Sequence, residues 1–234
     1  MLGRKEIVIF TPWTILILIA FGLSLLAQFR VKGTFNKYMK VAASSGLIGA
    51  EAARKMLDEN GLNNIPVECI RGPLTDHYDP ISKAVRLSEH VYYGNSVASI
   101  SVACHEIGHA IQDKVNYPML VARHRLFPVI NFSSGIAPLL FLGGFFFKIS
   151  GLLLLGIIAF SAAVAFQIIT LPVEFNASKR AKDYMIKLGF IKNNEERAAR
   201  NVLGAAALTY VAATLVSVLQ LAEYLWIFNN NDED

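Results

Sequence analysis

His105 and His109 stand four residues apart in the run V-A-C-H-E-I-G-H-A-I-Q-D, residues 102–113, and Glu106 directly follows the first histidine. A four-residue step along an α-helix returns to nearly the same face, so both imidazoles can reach one cation. Glu106 lies one step further round, off the cation but close enough to act on a water beside it. Metal-assisted hydrolysis needs two neutral imidazole ligands and a carboxylate base, and H-E-x-x-H on a helix is the spacing that supplies them around Zn2+. Three fixed letters of this kind arise by accident in on the order of one chain in a hundred of this length. The surroundings must therefore be read as well.

They support a helix. Val97, Ile100, Cys104, Ile107 and Ile111 form one apolar stripe at helical spacing. The histidines lie off it, on a face shared with Ala98 and Ser101, and Asn95 or Ser96 is the expected N-cap. The plainer account is a pair of surface histidines on an ordinary amphipathic helix, and the intervening glutamate argues against it. A hydrolytic zinc takes three protein ligands and keeps a position open. Glu174, in L-P-V-E-F-N-A-S-K-R, is the best candidate for the third, because Ala177 and Ser178 beside it permit close helix approach. Its rivals are Asp183, Glu195 and Glu196, of which the last two read as first-turn residues favoured by a helix N-terminus.

Other titratable residues have duller explanations. His77 and His90 could each add a ligand or steady an oxyanion, but a plain hydrogen-bonding role is the commoner one. Asp113, four residues after His109, could orient that ring or simply solvate a helix end. Asp76 and Asp79 read as turn formers. Cys69 and Cys104 show no paired spacing. Cys104 falls on the apolar stripe, which suggests packing, and a cytosolic location would keep both thiols reduced.

The elements that must position these groups lie between apolar segments. Of the 234 residues, 54% are hydrophobic and 17% charged, with a mean hydropathy of +0.43, whereas soluble domains carry about 25% charged residues. Residues 7–28, 126–147, 149–171 and 202–228 each have the roughly 20 residues that cross a bilayer. The first is too long for a signal-peptide core and lacks a small-residue cleavage site, so retention is expected. Residues 30–125 and 172–201 hold 19 of the 22 Lys and Arg residues. The positive-inside rule therefore places segments 29–125 and 172–201 in the cytoplasm and both termini outside, and the acidic tail Asp232-Glu233-Asp234 does not conflict with that. The net charge of +4 needs no nucleic acid. Arg30, Lys32, Lys37, Lys40, Arg123 and Arg125 sit beside the first two spans, where anionic lipid headgroups would meet them, and His124 belongs to the same surface. Tyr224 and Trp226 put Glu223 near a headgroup belt.

Between the spans, Ser44 or Ser45 starts an expected helix through Glu59, stopped by Gly61. Residues 65–70 read as a strand that Pro66 confines to an edge or a strand start. Residues 74–78 and 84–88 flank a turn over Asp79–Ser82 and suggest a hairpin. Together these predict a small antiparallel sheet just before the metal helix, with an edge that could pair with an extended peptide. Pro172 starts a new helix or kinks the old one, and Gly189 ends the helix carrying Glu174. The fold class expected is a mainly α membrane protein (α+β): four transmembrane helices with a cytoplasmic zinc-peptidase domain.

The chain resembles the YugP-type neutral zinc metallopeptidases, and is more distantly similar to the HtpX-type and CAAX-prenyl endopeptidases of the gluzincin group. The segments T-D-H-Y-D-P-I-S-K-A-V-R-L-S and L-P-V-E-F-N-A-S-K-R-A carry the likeness more specifically than H-E-x-x-H does, and the match spans nearly the whole length. The resemblance implies His105, His109 and Glu174 as zinc ligands, Glu106 as base, and an interior-facing catalytic domain. One departure is Ser178, where the HtpX-like relatives carry an aspartate, so the role of that aspartate does not transfer.

The leading expectation is a plasma-membrane zinc endopeptidase acting on membrane or membrane-proximal proteins, with the lipid bilayer and a peptide substrate as partners. The alternative is a non-catalytic membrane adaptor with a structural zinc, its shell closed by a fourth ligand such as His77. A third reading, with the ligands inside the bilayer, is opposed by Asp113 and Lys114, which follow the motif within a turn.

Overall fold

In the computed structural model, residues 12–192 and 194–231 are described. The start of the first expected span, residues 7–11, and the acidic tail lie outside them. The element order is α1 (Pro12–Tyr38), α2 (Gly49–Glu59), β1 (Val67–Ile70), β2 (His77–Asp79), β3 (Ala84–Ser88), α3 (Glu89–Tyr92), α4 (Val97–Lys114), α5 (Pro118–Phe147), α6 (Ser150–Lys187) and α7 (Glu196–Asn231). Among the described residues, α1, α5, α6 and α7 are the helices long and apolar enough to cross a membrane. Pro172 neither starts nor stops a helix: α6 runs through it for 38 residues. Proline removes only its own amide donor, and long apolar helices tolerate that where neighbours or side chains satisfy the freed carbonyl. Gly189 follows the end of α6 at φ +67, a conformation glycine adopts without a Cβ penalty.

The chain divides into two compact units. One contains residues 12–26, 125–168 and 211–231 among those described. Here the Tyr224 ring packs against Phe141 and Phe160, with centroids 4.4 and 5.3 Å away. Glu223 Oε1 accepts a hydrogen bond from Thr14 Oγ1 at 3.1 Å, so this acid has a hydroxyl partner on α1.

The second unit, Ala27–His124 and Ile169–Tyr210, carries the motif helix. Its core joins α2 (Met56, Leu57), the sheet (Val85, Leu87) and the α4 stripe, with Met185 of α6 and Phe190 after it. Val97, Ile100, Cys104 and Ile107 are fully buried, as a stripe at helical spacing requires. Ser96 caps α4, its hydroxyl accepting from the Ser99 amide at 3.0 Å. The expected helix from Ser44 begins later, at Gly49. Ser44 instead donates its amide and hydroxyl to the Glu195 carboxylate at 2.8 and 2.6 Å. Glu195, read from sequence as a first-turn residue, precedes α7 and pins a distant loop.

The sheet is mixed, not wholly antiparallel. Its order is β1-β3-β2. β2 and β3 form the expected hairpin, with Tyr78 opposite Val85, while β1 runs parallel to β3 from Val67↔Val85 to Ile70↔Ser88. The reason is geometric. The chain reverses between β1 and β2, and β3 reverses again and inserts between them, so it is antiparallel to β2 and parallel to β1. The Pro66 carbonyl accepts from the Val85 amide at 3.0 Å, so the proline leads into an edge strand that begins one residue later.

The hairpin is fixed by its own polar residues. Asp79 accepts from the Ile81 and Ser82 amides, the Ser82 hydroxyl and Arg86 Nη1. The Ser82 hydroxyl and Arg86 beside it hold its carboxyl well below the usual range. Lys83 closes the turn at φ +50. Asp76 takes the Ser88 amide at 2.7 Å and the Ser88 hydroxyl at 3.0 Å.

Candidate metal centre

The centre is built where α4 meets α6. Gly108, inside H-E-I-G-H, marks the closest approach: a Cβ placed there would stand 2.6 Å from the Ala177 carbonyl oxygen and 3.0 Å from its Cα. A glycine on α4 against an alanine on α6 lets the two backbones touch. That contact delivers Glu174, one turn before Ala177, to the histidines. Glu174 Oε2 lies 3.3 Å from His105 Nε2 and 3.6 Å from His109 Nε2. Ligand atoms from all three residues fall within 4.8 Å of one another. Tetrahedral zinc with bonds of about 2.0–2.1 Å separates its ligands by roughly 3.3–3.5 Å, so both the donor types and the two nitrogen–oxygen spacings fit that ion.

A hydrogen-bond network anchored on Arg180 sets the tautomer of His109. Arg180 can only donate, and its Nε lies 2.8 Å from Asn176 Oδ1. Asn176 therefore presents its oxygen, which also accepts from Gln112 Nε2 at 3.1 Å. The same Gln112 nitrogen donates to the Val173 carbonyl at 2.7 Å. With its amide so oriented, Gln112 turns Oε1 to His109 Nδ1 at 3.0 Å. Nδ1 must then carry the proton, leaving Nε2 free as a ligand. His105 has a hydroxyl in the same position: Ser178 Oγ stands 3.2 Å from its Nδ1. The second oxygen of Glu174 accepts from Arg123 Nη1 at 3.0 Å.

Glu106 is 8% exposed and stands outside the ligand group. Its Oε2 accepts from the Tyr78 backbone amide at 3.1 Å. That amide belongs to β2, one of the two edge strands, and it points away from β3 towards the carboxylate. A second tie joins the same elements. Asp113 takes the Tyr78 hydroxyl at 2.6 Å and Lys83 Nζ at 2.5 Å. Burial would raise the Asp113 carboxyl, but Lys83 and the Tyr78 hydroxyl hold it below its ordinary value. Burial and the Asp113 hydrogen bond push the Tyr78 phenol above its own.

Of the residues read from sequence, His105, His109 and Glu174 are brought together and Glu106 lies beside the sheet edge. Others go elsewhere. Asp113 does not orient His109; Gln112 occupies that place. His77 Nδ1 meets the Thr75 carbonyl at 2.7 Å, and His77 is not in the ligand group. His90 is exposed on α3. Arg123, expected at lipid headgroups, holds Glu174 instead. Cys104 is fully buried and burial pushes its thiol up, which fits packing. Gln112, Arg123 and the Tyr78 amide were missed. Only Gln112 carried a signal, as a polar residue on the histidine face one turn after His109.

Two imidazoles and a carboxylate that could hold one metal ion, in a chain with four long apolar helices, are the features of a membrane metallopeptidase. The family model described as "Putative neutral zinc metallopeptidase" matches residues 13–229, and the chain belongs to that family. It is 61% identical over 216 residues to the "Putative membrane protease YugP" of Bacillus subtilis (strain 168), covering 92% of this chain and 96% of that protein. No solved structure matches.

Proposed function

We propose that the chain is a membrane-bound zinc endopeptidase that hydrolyses peptide bonds of membrane or membrane-proximal proteins. The observation that carries this is the convergence of Glu174 on His105 and His109 with a separate buried carboxylate, Glu106, beside the sheet edge. His105, His109 and Glu174 would hold the ion. Zinc there supplies a Lewis acid that polarises a carbonyl and brings the ionisation of water near pH 7. Glu106 is the base: it takes a proton from water and returns it to the leaving amine. The Tyr78 amide fixes one carboxylate oxygen of Glu106. With the Tyr78 amide committed to Glu106, an extended substrate lying along the outer edge of β2 would use the backbone groups that remain there, the usual way a strand edge holds a peptide. Arg123, Ser178 and Gln112 hold the three ligands in orientation.

The charge distribution supports a cytoplasmic face for the centre in the plasma membrane. The adaptor alternative needs a fourth ligand, and His77, its candidate, turns Nδ1 to a backbone carbonyl. The test compares proteolysis by the zinc-loaded wild type and Glu106→Gln in detergent. The variant should keep its zinc and lose cleavage by at least about a hundredfold, within the range a positioned acid–base group contributes. Equal cleavage with equal zinc would refute the assigned base.

A further inference from the structure

Beside the candidate centre lies a cavity of about 160 Å³ whose walls include both His105 and Glu106. The remaining walls are mostly apolar: Val31 and Phe35 of α1, Val102 of α4, and Val202, Leu203 and Ala206 of α7. The two polar exceptions are already engaged. Asp76 accepts the Ser88 amide and shares the Ser88 hydroxyl between its two oxygens, and the Tyr210 hydroxyl interacts with Glu174. Among the apolar walls a polar guest would lose hydration without full replacement.

Size narrows the occupant. Sites for whole small molecules run to about 300–1,000 Å³, well above this cavity. A cavity of about 150 Å³ lined by aliphatic and aromatic side chains takes a benzene-sized group. The space thus fits one side chain, and Glu106 in its wall suits a side chain next to the bond being cut.

We propose that this cavity is the specificity pocket of the peptidase and takes a branched aliphatic or phenyl side chain of the residue adjacent to the scissile bond. The proposal rests on the hydrolase reading and adds a substrate class to it: chains with Leu, Ile, Met or Phe at the cut. Alanine or glycine there would leave the pocket unfilled. A single missing methylene in an apolar pocket already costs about tenfold or more in kcat/KM.

The test uses the full zinc-loaded chain in detergent with an unbiased peptide mixture, reading cut sites by mass spectrometry. The wild type should cut beside Leu, Ile, Met or Phe at least about tenfold more often than beside Ala, Gly or Lys. Ala206→Phe, which fills the pocket, should reverse that preference towards Ala and Gly. Val102→Ala, which enlarges it and guards against misfolding of the first variant, should favour Phe over Leu. Binding to Glu106→Gln is measured in parallel, with blocked peptides differing only as Leu or Ala. Cutting that ignores side-chain size and is unmoved by both substitutions overturns the pocket while leaving the hydrolase intact. Selective binding of the Leu peptide, abolished by Ala206→Phe, without any cleavage by the wild type supports the pocket and sinks the hydrolase. Neither cutting nor selective binding overturns both.

Discussion

Gln112 contributes no atom to the ligand group, yet its amide decides which nitrogen of His109 is available. The direction of every bond in that chain follows from Arg180, whose guanidinium can only donate. Ser178 stands in the equivalent place behind His105. Both partners are neutral, so they orient the rings without adding a second negative charge near the ion. Groups in that position typically contribute about 10–100-fold to metal affinity. Gln112→Leu and Ser178→Ala should each weaken zinc binding by that order in a chelator competition, whereas Ser178→Thr, which keeps the hydroxyl, should stay near wild type. The candidate ligands were legible in the sequence because helical spacing pairs His105 with His109 and the small residues after Glu174 permit close helix approach. Their partners were not: a glutamine beside a histidine has many uses, and only the fold brings Asn176 and Val173 to it.

At the scale of elements, the metal centre depends on how closely α4 and α6 approach. Gly108 is the contact residue, and a methyl group there would overlap the Ala177 carbonyl. Neither backbone can yield locally inside a helix. Gly108→Ala should therefore push α6 outward, costing about 1–3 kcal/mol as overpacked sites do, and should lower zinc affinity with it. Thermal unfolding of the metal-free chain separates the two effects, and an unchanged midpoint with unchanged zinc binding would contradict the close-contact account. The small residues after Glu174 signalled such an approach in the sequence. The glycine within the motif carries no such signal, because x positions of H-E-x-x-H admit any residue. The sheet was half legible: Asp79 and its turn predicted the β2–β3 hairpin, but the parallel pairing of β1 arises because β3 inserts between β1 and β2, a choice that local pattern does not encode. Pro172 left open a new helix or a kink in the old one, and α6 runs through it, since a proline that starts helices in water can sit inside a long apolar one.

For the whole molecule, four long apolar helices and a strongly uneven distribution of cations together predict one orientation. The hairpin residue Lys148, with φ +53 between α5 and α6, should lie opposite the segments that hold 19 of the 22 basic residues. With Cys69 and Cys104 replaced by serine and alanine, Lys148→Cys should react with a membrane-impermeant maleimide in intact cells, and His90→Cys only after permeabilisation. The reverse pattern would put the centre outside. Span number and charge bias were readable from composition alone, because hydrophobic length and the siting of Lys and Arg are properties of segments. What composition could not supply is the meeting of two distant stretches, which arises only when residues 169–187 of α6 pack on α4.

The measurement that bears most directly on that meeting is X-ray absorption at the zinc edge of the reconstituted full chain. One zinc per chain with two imidazole nitrogens and carboxylate oxygen at about 2.0–2.2 Å, the oxygen contribution and affinity both falling in Glu174→Ala, is the predicted result. A sulfur ligand, four protein nitrogens, or a spectrum and affinity unmoved by Glu174→Ala would contradict it.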